Sequence, residues 1–172
     1  MSKKMMSPNT RLDAYPVSGL TPTFDGAGAV VLTAAQMNAG VRISPAVKSG
    51  YTLGATDSGT DSSKTVEDEG NVETRTIKNY EGTLTGFRDP LDEAPTVFTD
   101  FYNLFKTAYG EHWIGTRHGK KGREAYAAGD VVSIYRFKND PMREMEADDN
   151  GPMTVEVEFL PQGEFYQNVT LS

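Results

Sequence analysis

Cysteine is absent from all 172 residues. Disulfides and thiolate metal sites are therefore excluded, and the composition fits a reducing compartment. No apolar run approaches the length of a membrane span, so no membrane partner is expected. The opening stretch MSKKMMSPNTRLDAYP has two lysines but no apolar segment behind them, which is not the pattern of a secretory signal. The expectation is a soluble protein made in cytoplasm. Positive charge is scarce: 17 Lys and Arg stand against 24 Asp and Glu, a formal charge of −7. A nucleic-acid binder needs clustered cations to neutralise phosphate. This balance argues against that role and fits a surface that should not hold DNA.

Catalytic patterns are missing as well. There is no GxxxxGK[ST] phosphate loop and no GxSxG nucleophile elbow. His112 and His118 lie on or next to one probable strand without a third ligand nearby, a poor metal site. Glu81, Glu156 and Glu158 could supply acid–base carboxylates, but on alternating strands such residues form the wet face of a sheet. EADDNG, Glu146 to Gly151, approaches the start of a helix–loop–helix calcium loop. It departs in its first ligand, in Val157 where a bidentate Glu is needed, and in leading into a strand. NVT, Asn168 to Thr170, matches a glycosylation sequon and reads as strand sequence. No catalytic residue, cofactor or metal ligand is named.

Aromatic residues are plentiful: eight Phe, eight Tyr and one Trp, enough to fill a sheet-and-helix interior. Residues 1–25, with Pro8, Pro16 and Pro22 among polar residues, read as an extended arm ahead of a single domain over 26–172. GAVVL and VRIS read as short strands around TAAQMNAG, where Thr33 caps a helical turn and Gly40 ends it. Strands follow over Asn71 to Ile77 and Tyr80 to Phe87. One amphipathic helix is predicted from about Pro95 to Tyr109, with Val97, Phe98, Phe101, Leu104 and Phe105 on its core face and Gly110 as its cap. EHWIGTRHG leads into a basic hairpin tip, RHGKKGR, which can grip phosphate, contact a subunit or stay solvated. DVVSIYRFK alternates. The last two strands put Val155, Val157 and Phe159 opposite Glu156 and Glu158, with LPQGEF as the hairpin between them. The sum is a mainly β protein, either two packed antiparallel sheets or a flattened barrel, with one flanking helix.

The block NYEGTLTGFRDPLDEAPTVFTDFYNLFKTAYGEHWIGTRHG is followed by AAGDVVSIYRFKNDP and MTVEVEFLPQGEFYQNVTLS. This order resembles the major tail tube proteins of long-tailed, non-contractile bacteriophages, in which an EGTL strand precedes a short aromatic helix, a strand ending in RxG, an AGDxV strand and a closing pair. LTAAQMNAGVRIS is similar to the family's N-terminal part. The resemblance covers most of Gly28 to Ser172. It implies two antiparallel sheets with a flanking helix, a homo-hexameric ring, rings stacked into a hollow tube, and DNA that passes through without specific binding. It also implies tail partners such as the tape measure and terminator proteins.

KSGYTLGATDSGTDSSKTVEDEGN, Lys48 to Asn71, has no large apolar residue from Ala55 to Lys64. A compact chain rarely carries so long a loop without a use for it. Gly54, Thr56, Asp57, Ser58, Gly59, Thr60, Asp61 and Lys64 are the expected assembly loop, flexible until docked on a neighbouring copy. Glu156 and Glu158 are candidates for the bore wall. The alternatives are a tail terminator, a head decoration protein, or a non-catalytic β-sandwich binding module, the last of which would show an exposed aromatic platform in a defined groove.

Overall fold

A computed structural model describes residues 10–57, 59–61, 74–77, 79–89, 96–145 and 152–172. The strands are β1 (Thr10–Pro16), β2 (Thr23–Phe24), β3 (Val30–Val31), β4 (Val41–Arg42), β5 (Thr52–Ala55), β6 (Gly59–Asp61), β7 (Thr74–Ile77), β8 (Tyr80–Phe87), β9 (Glu111–His118), β10 (Val131–Asn139), β11 (Arg143–Met145) and β12 (Thr154–Thr170). The helices are α1 (Ala34–Asn38) and α2 (Val97–Phe105). Eight strands form one antiparallel sheet in the order β4-β1-β9-β10-β12-β8-β5, with β11 also on β12, while β2–β3 and β6–β7 are two-stranded ribbons. The mainly β class with a flanking helix holds. Of the two arrangements expected, the main sheet is one continuous surface, and it is not a closed barrel because β4 and β5, at its two ends, do not pair.

Alternation sends side chains to two cores on opposite faces of this sheet. Leu12, Ala14, Ile114, Tyr135 and Phe137 join Leu84, Val155, Val157 and Phe159 in the first. Tyr15, Trp113, Val132, Ile134 and Leu171 join Leu32 and Met37 in the second. Helix α2 covers the first core. Phe101 and Phe105 are fully buried, and Phe98 and Leu104 pack partly against the cluster. Each buried ring contributes about 1.5–3 kcal/mol. Gly86 lets the helix this close: a Cβ there would stand 2.2 Å from Phe101 Cε1.

Helix α2 ends earlier than the sequence predicts, at Phe105. The cause is Asn139, whose Nδ2 donates to the carbonyls of Phe105 at 3.1 Å and Thr107 at 3.0 Å, taking acceptors the next turn would need. The left-handed residue is Tyr109, φ 65°, not Gly110. Gly110 is needed for a close approach, since a Cβ would meet His112 Nε2 at 2.8 Å. Helix α1 carries the expected cap: Thr33 accepts from Gln36 N, and Gln36 reaches back to Thr33 N.

Three stretches differ from the sequence reading. Thr10–Pro16 is an inner strand between β4 and β9, not part of an arm; Leu12, Ala14 and Tyr15 are buried, and Arg11 and Asp13 pair with each other. LPQGEF is not a hairpin. It lies inside β12, a single strand of 17 residues. Between Phe165 and Pro161 the register against β10 slips, and Gly163, φ 82°, absorbs the extra residues as a bulge. A second slip near Asn168, φ 57°, reverses the faces, so Tyr166 and Val169 both pack toward the second core. The long polar stretch is also strand-bearing where described: Thr52–Ala55 pairs with β8, and Gly59–Asp61 pairs with β7.

Replacing Gly86 by Ala forces Phe101 and helix α2 outward. The expected cost is about 1–3 kcal/mol of stability, read from the urea midpoint with an unchanged strand signal by circular dichroism.

Candidate assembly surfaces

The first surface is the polar part of the sheet face whose other part carries the second core. Because Val155, Val157 and Phe159 point into the first core, Glu156 and Glu158 stand on the opposite face of β12. Glu81, Thr83 and Thr85 of β8 continue that face, with Glu158 opposite Thr83 and Glu156 opposite Thr85. Arg136 and Glu111 extend it across β10 and β9. Its cations are already held by carboxylates. Arg143 Nη1 lies 3.0 Å from Glu158 and 3.8 Å from Glu156. Arg136 is bound at 2.6 Å by Glu164 and at 3.0 Å by Glu111. Glu164 and Glu111 raise the Arg136 pKa further, by hydrogen bonds and charge.

The second surface is the loop between β9 and β10, which the sequence presents as a basic tip. Arg117 is not at a tip; it is buried at 2% exposure. Its Nη1 donates to Asp130 Oδ2 and to Ala125 O, both at 2.9 Å, and its Nη2 donates to Lys121 O and Glu124 O. Arg11 grips the same loop through Glu124 O at 2.7 Å while its Nε donates to buried Asp13 at 2.7 Å. Tyr126 donates to Asp13 at 2.8 Å and lies between the two guanidiniums, 4.4 Å from Arg11 and 5.0 Å from Arg117. Burial and the neighbouring Asp13 charge push the Tyr126 hydroxyl well above the usual phenol range. Desolvation opposes the Asp130 carboxylate, but Lys120, the Ala127 N–H and Arg117 together hold it below the ordinary value of 3.8. Lys121 and Arg123 remain outside, exposed on a loop fixed from beneath.

The third surface is backbone. β4 and β5 are the two end strands of the main sheet. β5 continues into a latched turn, where Thr56 N donates to Asn79 O and Asn79 Nδ2 donates to Asp57 O, both at 3.0 Å. A groove of about 640 Å³ lies between the β2–β3 ribbon and the end of β12, lined by Phe24, Val30, Tyr166 and Val169. Phe24 is 58% exposed and stands edge-on to Tyr166.

Of the expected assembly residues, Gly54 sits in β5, Thr56 and Asp57 in the latched turn, and Gly59, Thr60 and Asp61 in β6. Ser58 and Lys64 lie outside the described residues, as does the acidic EADDNG segment. Of the expected helix face, Phe101 and Phe105 are buried, Phe98 and Leu104 partly, and Val97 half-buried in the first turn. The buried Arg11, Asp13, Arg117 and Asp130 were missed. The signal was present: Arg11 and Asp13 are two apart on one strand and must share a face, which is the face of buried Tyr15. Among the described residues no group of three His, Cys, Asp or Glu is placed to hold a metal, and no helix is long and apolar enough to cross a membrane.

The chain matches the family model described as "Phage tail tube protein" over residues 21–172. A comparison with curated proteins returned no match. Among solved structures, a chain of the "Cryo-EM structure of the anti-feeding prophage (AFP) baseplate, 6-fold symmetrised" is similar, with 10% identity, a TM-score of 0.47, and coverage of 96% of this chain and 96% of that one.

Replacing Asp130 by Asn leaves the Arg117 charge buried without its counter-ion, and the expected loss is about 3–5 kcal/mol at neutral pH. Because the native carboxylate titrates below 3.8, its stabilisation is complete above about pH 4 and is lost as pH falls through the lower native value. The variant should therefore show a shallower fall in melting temperature below pH 4 than the parent.

Proposed function

Because the chain belongs to the phage tail tube protein family, a structural and non-catalytic one, we propose that it is the subunit of a tail tube, in which copies join into hexameric rings and rings stack into a hollow conduit for DNA ejection. The observation that carries this reading is the family match over residues 21–172. The open ends of the main sheet support it, since a subunit built to stand alone covers or blunts such borders. The tail is of the long, non-contractile type. The protein is assembled in the host cytoplasm and resides in the virion tail, with the tape measure and terminator proteins as its other partners.

In this reading the polar face of β8, β12, β10 and β9 lines the bore. Glu156 and Glu158 then belong to the wall that meets DNA. Their partner Arg143, and Arg136 beyond it, are engaged by carboxylates at 3.8 Å or less. Phosphate therefore meets acidic or already neutralised groups, and the duplex slides without sticking. The segment through Gly54, Thr56, Asp57, Ser58, Gly59, Thr60, Asp61 and Lys64 docks against a neighbouring copy. The fixed base of that segment at Asn79 supports this, because a contact presented from a latched turn loses less conformational freedom on binding.

Electron microscopy of the concentrated protein tests the reading. Open-ended tubes of stacked six-fold rings are expected. A single ring of fixed height would instead fit a terminator, and a monomer at all concentrations would count against any tube. The double variant Glu156→Lys, Glu158→Lys should still form tubes but retain duplex DNA in a filter-binding assay, with retention falling steeply as salt rises. Equal retention by parent and variant would remove these two residues from the bore wall.

A further inference from the structure

One strand is satisfied on one edge and half empty on the other. β12 runs from Thr154 to Thr170, and its first edge is occupied end to end: β11 covers Thr154 to Glu156, and β10 covers Phe159 to Thr170. Its second edge carries β8 only from Thr154 to Phe159, because β8 begins at Tyr80. Gln162 N is then taken by the Tyr80 hydroxyl at 2.7 Å. From Gly163 to Thr170 no backbone pairing occupies that edge among the described residues, and just beyond it the chain closes the edge itself, Ser172 N donating to Leu32 O at 3.0 Å and Ala34 N donating to Ser172 O at 3.1 Å. A stretch this long normally presents several outward N–H and C=O groups in search of partners.

The vacancy is shaped as well as unpaired. The groove beside it is walled by Phe24, Val30, Tyr166 and Val169, so an extended segment entering it would find apolar side chains along one flank. This is the arrangement of strand addition, where main-chain hydrogen bonds give affinity and a flanking pocket gives register.

The chain also carries a strand suited to fill it. β5 bonds to β8 on one edge and ends the sheet on the other. Its sequence, TLGA, has neither proline nor charge, the devices that usually blunt an edge. β4 at the opposite border is only two residues long, too short to serve. We infer that β5 of one copy pairs with the empty edge of β12, residues 163–170, in the next copy. Each subunit then gives one strand and receives one, a heterologous contact that closes into a ring when its rotation closes. This inference rests on the ring reading above and names the two borders that meet.

The cysteine-free sequence allows a direct test. Gly54→Cys and Gln167→Cys are placed in one chain, with Thr52 and Val169 as neighbouring registers. A side chain at Gly54 meets nothing within 4 Å, and Gln167 is exposed, its removal costing one bond, from its Nε2 to the Tyr135 hydroxyl at 3.0 Å. Disulfide formation needs Cβ atoms about 3.5–4.5 Å apart. On mild oxidation of assembled material, a non-reducing gel should show a ladder of linked chains ending at ring size. The linked fraction should be at least about tenfold above that of dilute, unassembled protein, because assembly raises the local concentration of the partner thiol. A control pair, Gly54→Cys with Lys106→Cys just past the end of helix α2, should give none. Rings by microscopy without a ladder at any of these registers would overturn the edge contact and leave the ring reading standing. An oxidised monomer without a ladder would overturn it too, since the disulfide would then join β5 to the edge of its own copy. Absence of both rings and ladder would fell the ring reading and the contact together.

Discussion

Backbone pairing along β12 is the constraint on which the rest of the molecule depends. This strand touches β8, β10 and β11, and through them it ties the helix-covered core to the core behind β1 and β9. Its first half belongs to one core through Val155, Val157 and Phe159; in its second half Phe165 still packs on that core, while Tyr166 and Val169, with Leu171 just beyond the strand, belong to the other. The crossing is made by one irregularity, near Asn168, φ 57°, where the register slips by one residue and brings Val169 to the face of Tyr166; the slip at Gly163 spans two residues and keeps the faces. A regular strand alternates between the two faces, and without this slip Val169 would share the face of Phe165 and be lost to the second core.

The buried polar cluster solves a second problem. The eleven residues between His118 and Asp130 contain three cations and little that is apolar, so hydrophobic burial alone cannot order them. Arg11 and Arg117 order them instead by donating to their carbonyls, with Asp13 and Asp130 balancing the charge beneath. Such a cluster adds little net stability against an apolar equivalent, but it fixes the path of a loop that has no core of its own. Tyr126, held between both guanidiniums, is the point where loop and sheet are locked.

Much of this was legible in the sequence, and the boundaries of legibility are physical. Helix α2 was read from the spacing of Phe98, Phe101 and Phe105, and α1 from Thr33 and Gln36, because both signals are local. The alternation of Val155, Val157 and Phe159 against Glu156 and Glu158 was equally plain. What failed was long-range. Strand β1 was hidden because two of its buried residues, Arg11 and Asp13, are charged and satisfied by each other and by distant partners, the Glu124 carbonyl and Tyr126, the latter 113 residues away from Asp13. LPQGEF carries the chemistry of a turn, yet β10 extends past it and holds the strand straight across a bulge. The end of α2 was set by Asn139, far along the chain, and not by the nearby glycine. The proposed bore face and subunit borders depend on copies of the chain, and no single sequence states how copies meet.

The single tryptophan gives the molecule a built-in optical probe. Trp113 is buried and lies stacked on Tyr166 with ring centroids 6.2 Å apart, and Tyr166 in turn meets exposed Phe24 at 5.9 Å. The indole thus sits one ring behind the groove wall. Any body seated in that groove alters the polarity and freedom of its nearest aromatic neighbour, so the colour and lifetime of native emission follow occupancy without an attached dye.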